Sequence, residues 1–159
     1  MGDIVQVKNI GSLGDLKRLS DHATSTAGGS GDGTTVTGLT IDRIGAFSGN
    51  LPRTALVGVL FEATLGSGAT LSVGYAVQSS PDNSTWTDYQ TGTYAVAGTG
   101  ASGGSVVKGQ FNVAVDLNNA ARYVRFNYNP KCSAANTDTT YSDAAGFFGG
   151  QDTLPSTVN

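Results

Sequence analysis

The sequence predicts an all-β fold: an antiparallel β-sandwich, jelly-roll-like, with an extended N-terminal arm. Three observations predict it. Apolar residues recur at every second position in several short runs, the period of a strand with one buried face. No stretch of helical length keeps a three-to-four-residue apolar spacing. Glycine supplies 23 of the 159 residues, about twice its ordinary share, while Asp, Glu, Lys and Arg together make up only 13%. A chain so short of charge cannot dress the outer faces of a coiled coil or helical bundle, and with 38% hydrophobic residues it is not a charge-driven disordered chain either.

Residues 1–50 read as an extended, glycine-rich arm. Leu13, Leu16 and Leu19 fall three apart and predict one short helical turn within it. Residues 24–33 are small and turn-forming, with little to pack into a core, and Asp32-Gly33 leads into a β-prone Thr34-Thr35-Val36. The arm is expected to need another surface to become ordered.

Residues 51–159 read as the sandwich. In 55–63, Val57, Val59 and Phe61 share one face and Leu56, Leu60 and Glu62 the other, which predicts a strand buried on both sides. Leu71, Val73, Tyr75 and Val77 alternate with Ser72, Gly74, Ala76 and Gln78, the cleanest amphipathic strand in the chain. The turn cluster 79–84 then joins it to a short strand at 85–89 as a hairpin. Residues 91–109 predict a weak strand around Thr93 to Val96 and a long loop. Phe111, Val113, Val115 and Leu117 define a further strand, and Val124, Phe126 and Tyr128 another, which most simply pairs with it antiparallel. Residues 130–142 read as loop, and 144–148 as a last short strand.

The chemistry-bearing residues are few. A positioned general base is most often histidine, and the single one, His22, sits in the arm. Gly100-Ala-Ser-Gly-Gly104 matches the G-x-S-x-G nucleophile elbow in letters, but that device needs a following helix and a later histidine, and neither is present. Cys132 and His22 fall short of the four ligands of a structural zinc, and Asp32, Asp82, Asn83, Asp138 and Asp143 lack EF-hand spacing and read as turn formers. Asn83-Ser-Thr85 fits a glycosylation acceptor and also reads as a turn. No enzyme, cofactor or metal is expected. The net charge of −3 argues against binding nucleic acid, and no window has the length and apolarity of a membrane span. Neither a signal peptide nor the myristoylation pattern is expected, since position 6 is Gln6. Arg122 and Arg125 are candidates for rim contacts, and Trp86, Tyr89 and Tyr94 for a sugar-stacking platform.

Three segments carry a resemblance: Leu71-Ser-Val-Gly-Tyr-Ala-Val-Gln-Ser-Ser-Pro-Asp-Asn-Ser-Thr-Trp86, Val115-Asp-Leu-Asn-Asn-Ala-Ala-Arg-Tyr-Val-Arg125, and Phe148-Gly-Gly-Gln-Asp-Thr-Leu-Pro155. In this order they resemble small virion proteins of tailed bacteriophages, of the capsid decoration or cement type. The resemblance implies a structural protein on the virion surface, made in the host bacterial cytoplasm, that binds the outside of an assembled capsid and bridges major capsid proteins. It also implies a homo-oligomer of two or three copies. The contact residues expected from the arm and the strand near Arg122 are Asp21, His22, Thr34, Thr35, Val36, Arg43, Arg122 and Arg125. The turn and strand motifs also recur in carbohydrate-binding sandwiches. The alternative is therefore a sugar- or receptor-binding tail module using Trp86, Tyr89 and Tyr94, or another tail or head-completion component.

Overall fold

The computed structural model describes residues 14–47, 51–134 and 137–150. Its strands are β1 (Gly14–Arg18), β2 (Ala23–Thr26), β3 (Ile41–Asp42), β4 (Thr54–Leu65), β5 (Thr70–Ser80), β6 (Thr87–Thr99), β7 (Ser105–Asp116), β8 (Tyr123–Cys132) and β9 (Thr139–Gly149). All ladders between these strands are antiparallel; β5 pairs β6, β4 pairs β7, β3 pairs β8, and β1 and β2 pair β9, as in one long hairpin, while β4 also pairs β9 and β5 pairs β8 where its limbs come together. A long hairpin has rolled up on itself. The roll leaves two sheets, β1/β2–β9–β4–β7 (sheet A) and β3–β8–β5–β6 (sheet B), the double-sheet arrangement of a jelly roll.

Alternation puts the core between the sheets. Val57, Val59 and Phe61 of β4 and Phe111, Val113 and Val115 of β7 face Leu71, Val73 and Val77 of β5 and Val124, Phe126 and Tyr128 of β8, all buried. Burying each such side chain stabilises the fold by roughly 1.5–3 kcal/mol.

Rolling explains three departures from the sequence reading. The strands expected to pair, β7 and β8, lie in different sheets, because the turn between them crosses the sandwich. The stretch read as a weak strand and long loop is mostly β6, an edge strand half exposed along its length and offset from β5 by two register irregularities, so its side chains do not alternate cleanly. Only residues 100–104 form the turn into β7, where Gly103 and Gly104 take φ of 87° and 86°. Residues 130–142, read as loop, include the ends of β8 and β9.

The N-terminal segment is extended, and within 14–47 the surface it orders on is the sandwich's own. β1 and β2 run along one edge of β9, meeting Ala145–Gly149 and Thr139–Ser142 in turn. The chain then turns at 27–32 and returns along β8, with Val36 and Tyr128 exchanging backbone bonds of 2.7 and 3.2 Å and Ile41 paired with Val124. Gly38 is required on this return path, since a Cβ there would lie 2.1 Å from the Phe126 carbonyl oxygen. The Leu39 N–H donates to the Leu19 carbonyl at 2.8 Å, stitching the outgoing and returning limbs together. The segment is a clasp over one open side of the sandwich. No helical turn forms at Leu16 and Leu19: β1 pairs through Arg18 and the chain bends at Leu19, so Leu19 is buried while Leu16 points outward. Leu13 lies outside the described residues.

Candidate interaction surfaces

The outer face of sheet A carries much of the apolar surface exposed to solvent. Leu16, Leu56, Leu60, Val106 and Tyr141, five of the eight exposed large hydrophobics among the described residues, lie on it. Leu56 and Leu60 are 49% and 50% exposed, so β4 is central in its sheet without being buried on both sides. Its second face has no layer packed over it among the described residues. Register aligns these groups in rows: Leu16, Phe147, Leu56 and Ala114 form one, and Arg18, Ala145, Gly58 and Asn112 the next. Ala145 and Gly58 add little bulk to the second row, and the Asn112 side chain leans over Gly58, its Oδ1 3.2 Å from where a Cβ would stand.

Charges on this face are matched locally. Lys108 Nζ lies 2.8 Å from Glu62 Oε2, Arg18 pairs with Asp21 at 2.5 Å, and His22 Nδ1 lies 3.0 Å from Asp143 Oδ2. The His22 ring stacks on Tyr141 with centroids 5.8 Å apart. Asp21 and His22, both expected at an interface, are thus exposed at the bend between β1 and β2. The leucines and Tyr141 were missed as surface residues because apolar side chains at both parities of β4 imply burial on both sides as readily as an uncovered face.

The remaining expected contact residues are scattered. Thr34 and Thr35 are exposed on the returning limb of the clasp, and Val36 is half-buried against Tyr128. Arg43 is a correction: it is 1% exposed, and its guanidinium donates to the carbonyls of Pro52, Leu117, Ala120 and Ala121. It fastens the turns at that end of the sandwich and is not available to a partner. Arg122 is exposed and grips Asp42 through two bonds of 3.0 and 2.7 Å. The Arg122 hydrogen bonds hold the Asp42 carboxyl well below the usual carboxylate range, reinforced by the Gly45 and Ile44 N–H groups. Arg125 stands on the outer face of sheet B, its guanidinium 4.2 Å from the Trp86 ring centre and its Nε donating to Gln78 Oε1 at 2.8 Å.

The three aromatics do not share one platform. Trp86 lies under Arg125. Tyr94 packs on Phe111 with centroids 4.3 Å apart. Tyr89, Gln90 and Tyr94 reach from β6 across to the free edge of β7 and donate to the carbonyls of Asp116, Ala114 and Asn112 at 2.7, 3.2 and 2.5 Å. They close the side of the sandwich opposite the clasp.

The acidic residues read as turn formers mostly act so. Asp82 accepts from the Ser84 and Thr85 N–H groups, which hold its carboxyl well below the usual range and shape the turn where Asn83 takes φ of 61°. Asp32 accepts from Lys131, the Gly28 N–H and the Cys132 N–H, tying the clasp's turn to β8. Asp138 accepts from the Gly66 N–H. Among the described residues, no group of three or more His, Cys, Asp or Glu is placed to hold a metal. Ser102 lies in an exposed turn followed by a strand. No helix among the described residues is long and apolar enough to cross a membrane.

No protein-family model matches the chain, and no curated protein matches it in sequence. Solved structures do match it in fold. The T13 viral particle of infectious bursal disease virus aligns over 87% of this chain and 32% of its own, with a TM-score of 0.51 and 16% identity. The VP2 subviral particle of the same virus aligns over 89% of this chain and 34% of its own, with a TM-score of 0.51 and 13% identity. XepA, an exported protein of PBSX, aligns over 91% of this chain and 40% of its own at 19% identity, with a TM-score of 0.48. The chain spans between about a third and two fifths of these proteins' lengths. The likeness is one of fold: the chain is an antiparallel sandwich of the kind found in virus capsid proteins.

Proposed function

We propose that the protein is a virus structural protein of the decoration type, one that binds the outside of an assembled capsid and stabilises it by bridging major capsid proteins. The observation that carries this reading is the jelly-roll strand order, which is shared with viral capsid domains. The fold likeness to infectious bursal disease virus particles supports it, as does the resemblance of the three segments to phage virion proteins. A small, low-charge sandwich can sit in many copies on a shell, where many weak contacts repeated over the surface give avidity.

Residues 21–43 pack on their own sandwich, so within this reading Asp21, His22, Thr34 and Thr35 would meet the capsid as part of the sandwich surface, without Arg43, rather than as a detached arm. In the sugar-binding alternative, stacking would fall mainly to Trp86, since the Tyr94 ring packs on Phe111 and Tyr89 is half-buried against the core.

The test is to add purified protein to capsids that lack it and measure co-sedimentation, copy number and capsid melting. Saturable binding in tens to hundreds of copies, with a raised melting temperature, is expected. Binding of only a few copies at a vertex or tail, or none, overturns the decoration role.

A further inference from the structure

We infer that the outer face of sheet A is the surface on which two copies of this chain associate, about a two-fold axis lying in the interface near Gly58. The first argument is composition. Half-exposed leucines on a central strand cost solubility unless covered, and a concentration of exposed apolar groups on one face marks an interaction site. Here Leu16 is 72% exposed, Val106 55% and Tyr141 46%, alongside Leu56 and Leu60.

The second argument is size. Four strand positions about 4.8 Å apart and roughly eleven residues long at about 3.3 Å each span about 700 Å², close to the ~800 Å² per partner of a standard specific interface.

The third is symmetry. In the central strand β4, Leu56 and Leu60 flank Gly58 at equal distance, on the same face. A two-fold axis crossing the strands at Gly58 sets Leu56 of one copy against Leu60 of the other, and the reverse, as an isologous interface demands.

The fourth is charge. The ion pairs Glu62–Lys108 and Arg18–Asp21 match charges within the face, and Asp143 lies within hydrogen-bond distance of His22 Nδ1, so no block of one sign selects an oppositely charged partner. A second copy meets the same locally paired pattern.

Sedimentation equilibrium of the isolated full chain tests this without any capsid, so its failure leaves the decoration reading standing. The wild type is expected to dimerise, and Leu56→Lys or Leu60→Glu to weaken association by at least about 100-fold, as loss of a central anchor does. Both positions are half exposed, so the circular dichroism spectrum stays that of the wild type, and the melting temperature matches the wild type's at concentrations low enough for the wild type to be monomeric. Val96→Lys, at an exposed position on β6 in the other sheet, leaves association unchanged. The decisive arm mixes Leu56→Lys chains with Leu60→Glu chains. Neither variant dimerises alone, and the mixture forms heterodimers, because the axis places Lys opposite Glu. A monomeric wild type, dimers that persist in both variants, or a mixture that stays monomeric would overturn the inference.

Discussion

The Tyr94 hydroxyl donates to the Asn112 carbonyl at 2.5 Å, a bond from the edge strand of one sheet to the edge strand of the other. Tyr89 and Gln90 repeat it at Asp116 and Ala114, two residues apart, which is the period of outward-facing carbonyls on a strand edge. An unpaired edge as long as β7 is a template for aggregation unless blocked. Tyr94→Phe keeps the ring on Phe111 and removes only the bond, so it should cost about 1 kcal/mol. Combining it with Tyr89→Phe and Gln90→Ala should lower the urea midpoint further and raise light scattering on storage. Full stability and solubility in the triple variant would mean that the edge is protected some other way.

Arg43 and Arg122 make opposite predictions although both engage the same end of the fold. Arg43 is buried and serves four carbonyls, so Arg43→Met should strand those acceptors and cost about 2–4 kcal/mol. Arg122→Gln removes an exposed pair with Asp42 and should leave the urea midpoint close to that of the wild type. Urea denaturation of both variants separates the two roles.

The clasp should loosen in acid. Burial acts to raise the pKa of Asp32, but its bonds from Lys131, the Gly28 N–H and the Cys132 N–H outweigh that and leave it below the ordinary carboxylate value. A group whose folded pKa is depressed gives its full stabilisation above the unfolded pKa of about 4 and loses it as the pH falls through the folded value. Asp42 and Asp82 are shifted in the same direction. Stability should therefore be level near neutrality and fall below about pH 4. Asp32→Asn should be less stable than wild type at pH 7 and show a shallower acid decline. Identical slopes for the two proteins would rule out a role for Asp32 in the acid response.

Strand existence was legible where one face of a strand is covered and the other is wet, as in β5, β7 and β8. It was less legible for β6, whose edge position and register irregularities blur the alternation, and for β1 and β2, whose pairing groups are supplied by β9, more than a hundred residues away in sequence. Arg43 carries no local sign of burial; the carbonyls of Pro52 and of the distant Leu117, Ala120 and Ala121 receive its guanidinium. The leucines of sheet A were visible as residues, but their exposure depends on whether another layer covers β4, which no local pattern encodes.

Leu19 and Leu16 decide whether residues 14–43 belong to the fold or stand apart from it. Three positions apart, they differ completely in environment: Leu19 is 1% exposed and meets the region of Gly146, while Leu16 lies open on sheet A. If the segment is a clasp, Leu19→Ala opens a cavity under it and should cost about 2–5 kcal/mol, whereas Leu16→Ser should change folding stability by no more than about 0.5 kcal/mol. Deleting residues 1–35 should then expose the β9 edge and yield aggregated protein, so that lost capsid binding in such a truncation would report unfolding rather than a missing bridge. A soluble, fully cooperative truncation with an unchanged melting temperature would show that the segment is dispensable to the sandwich and would return it to the role of a detachable arm.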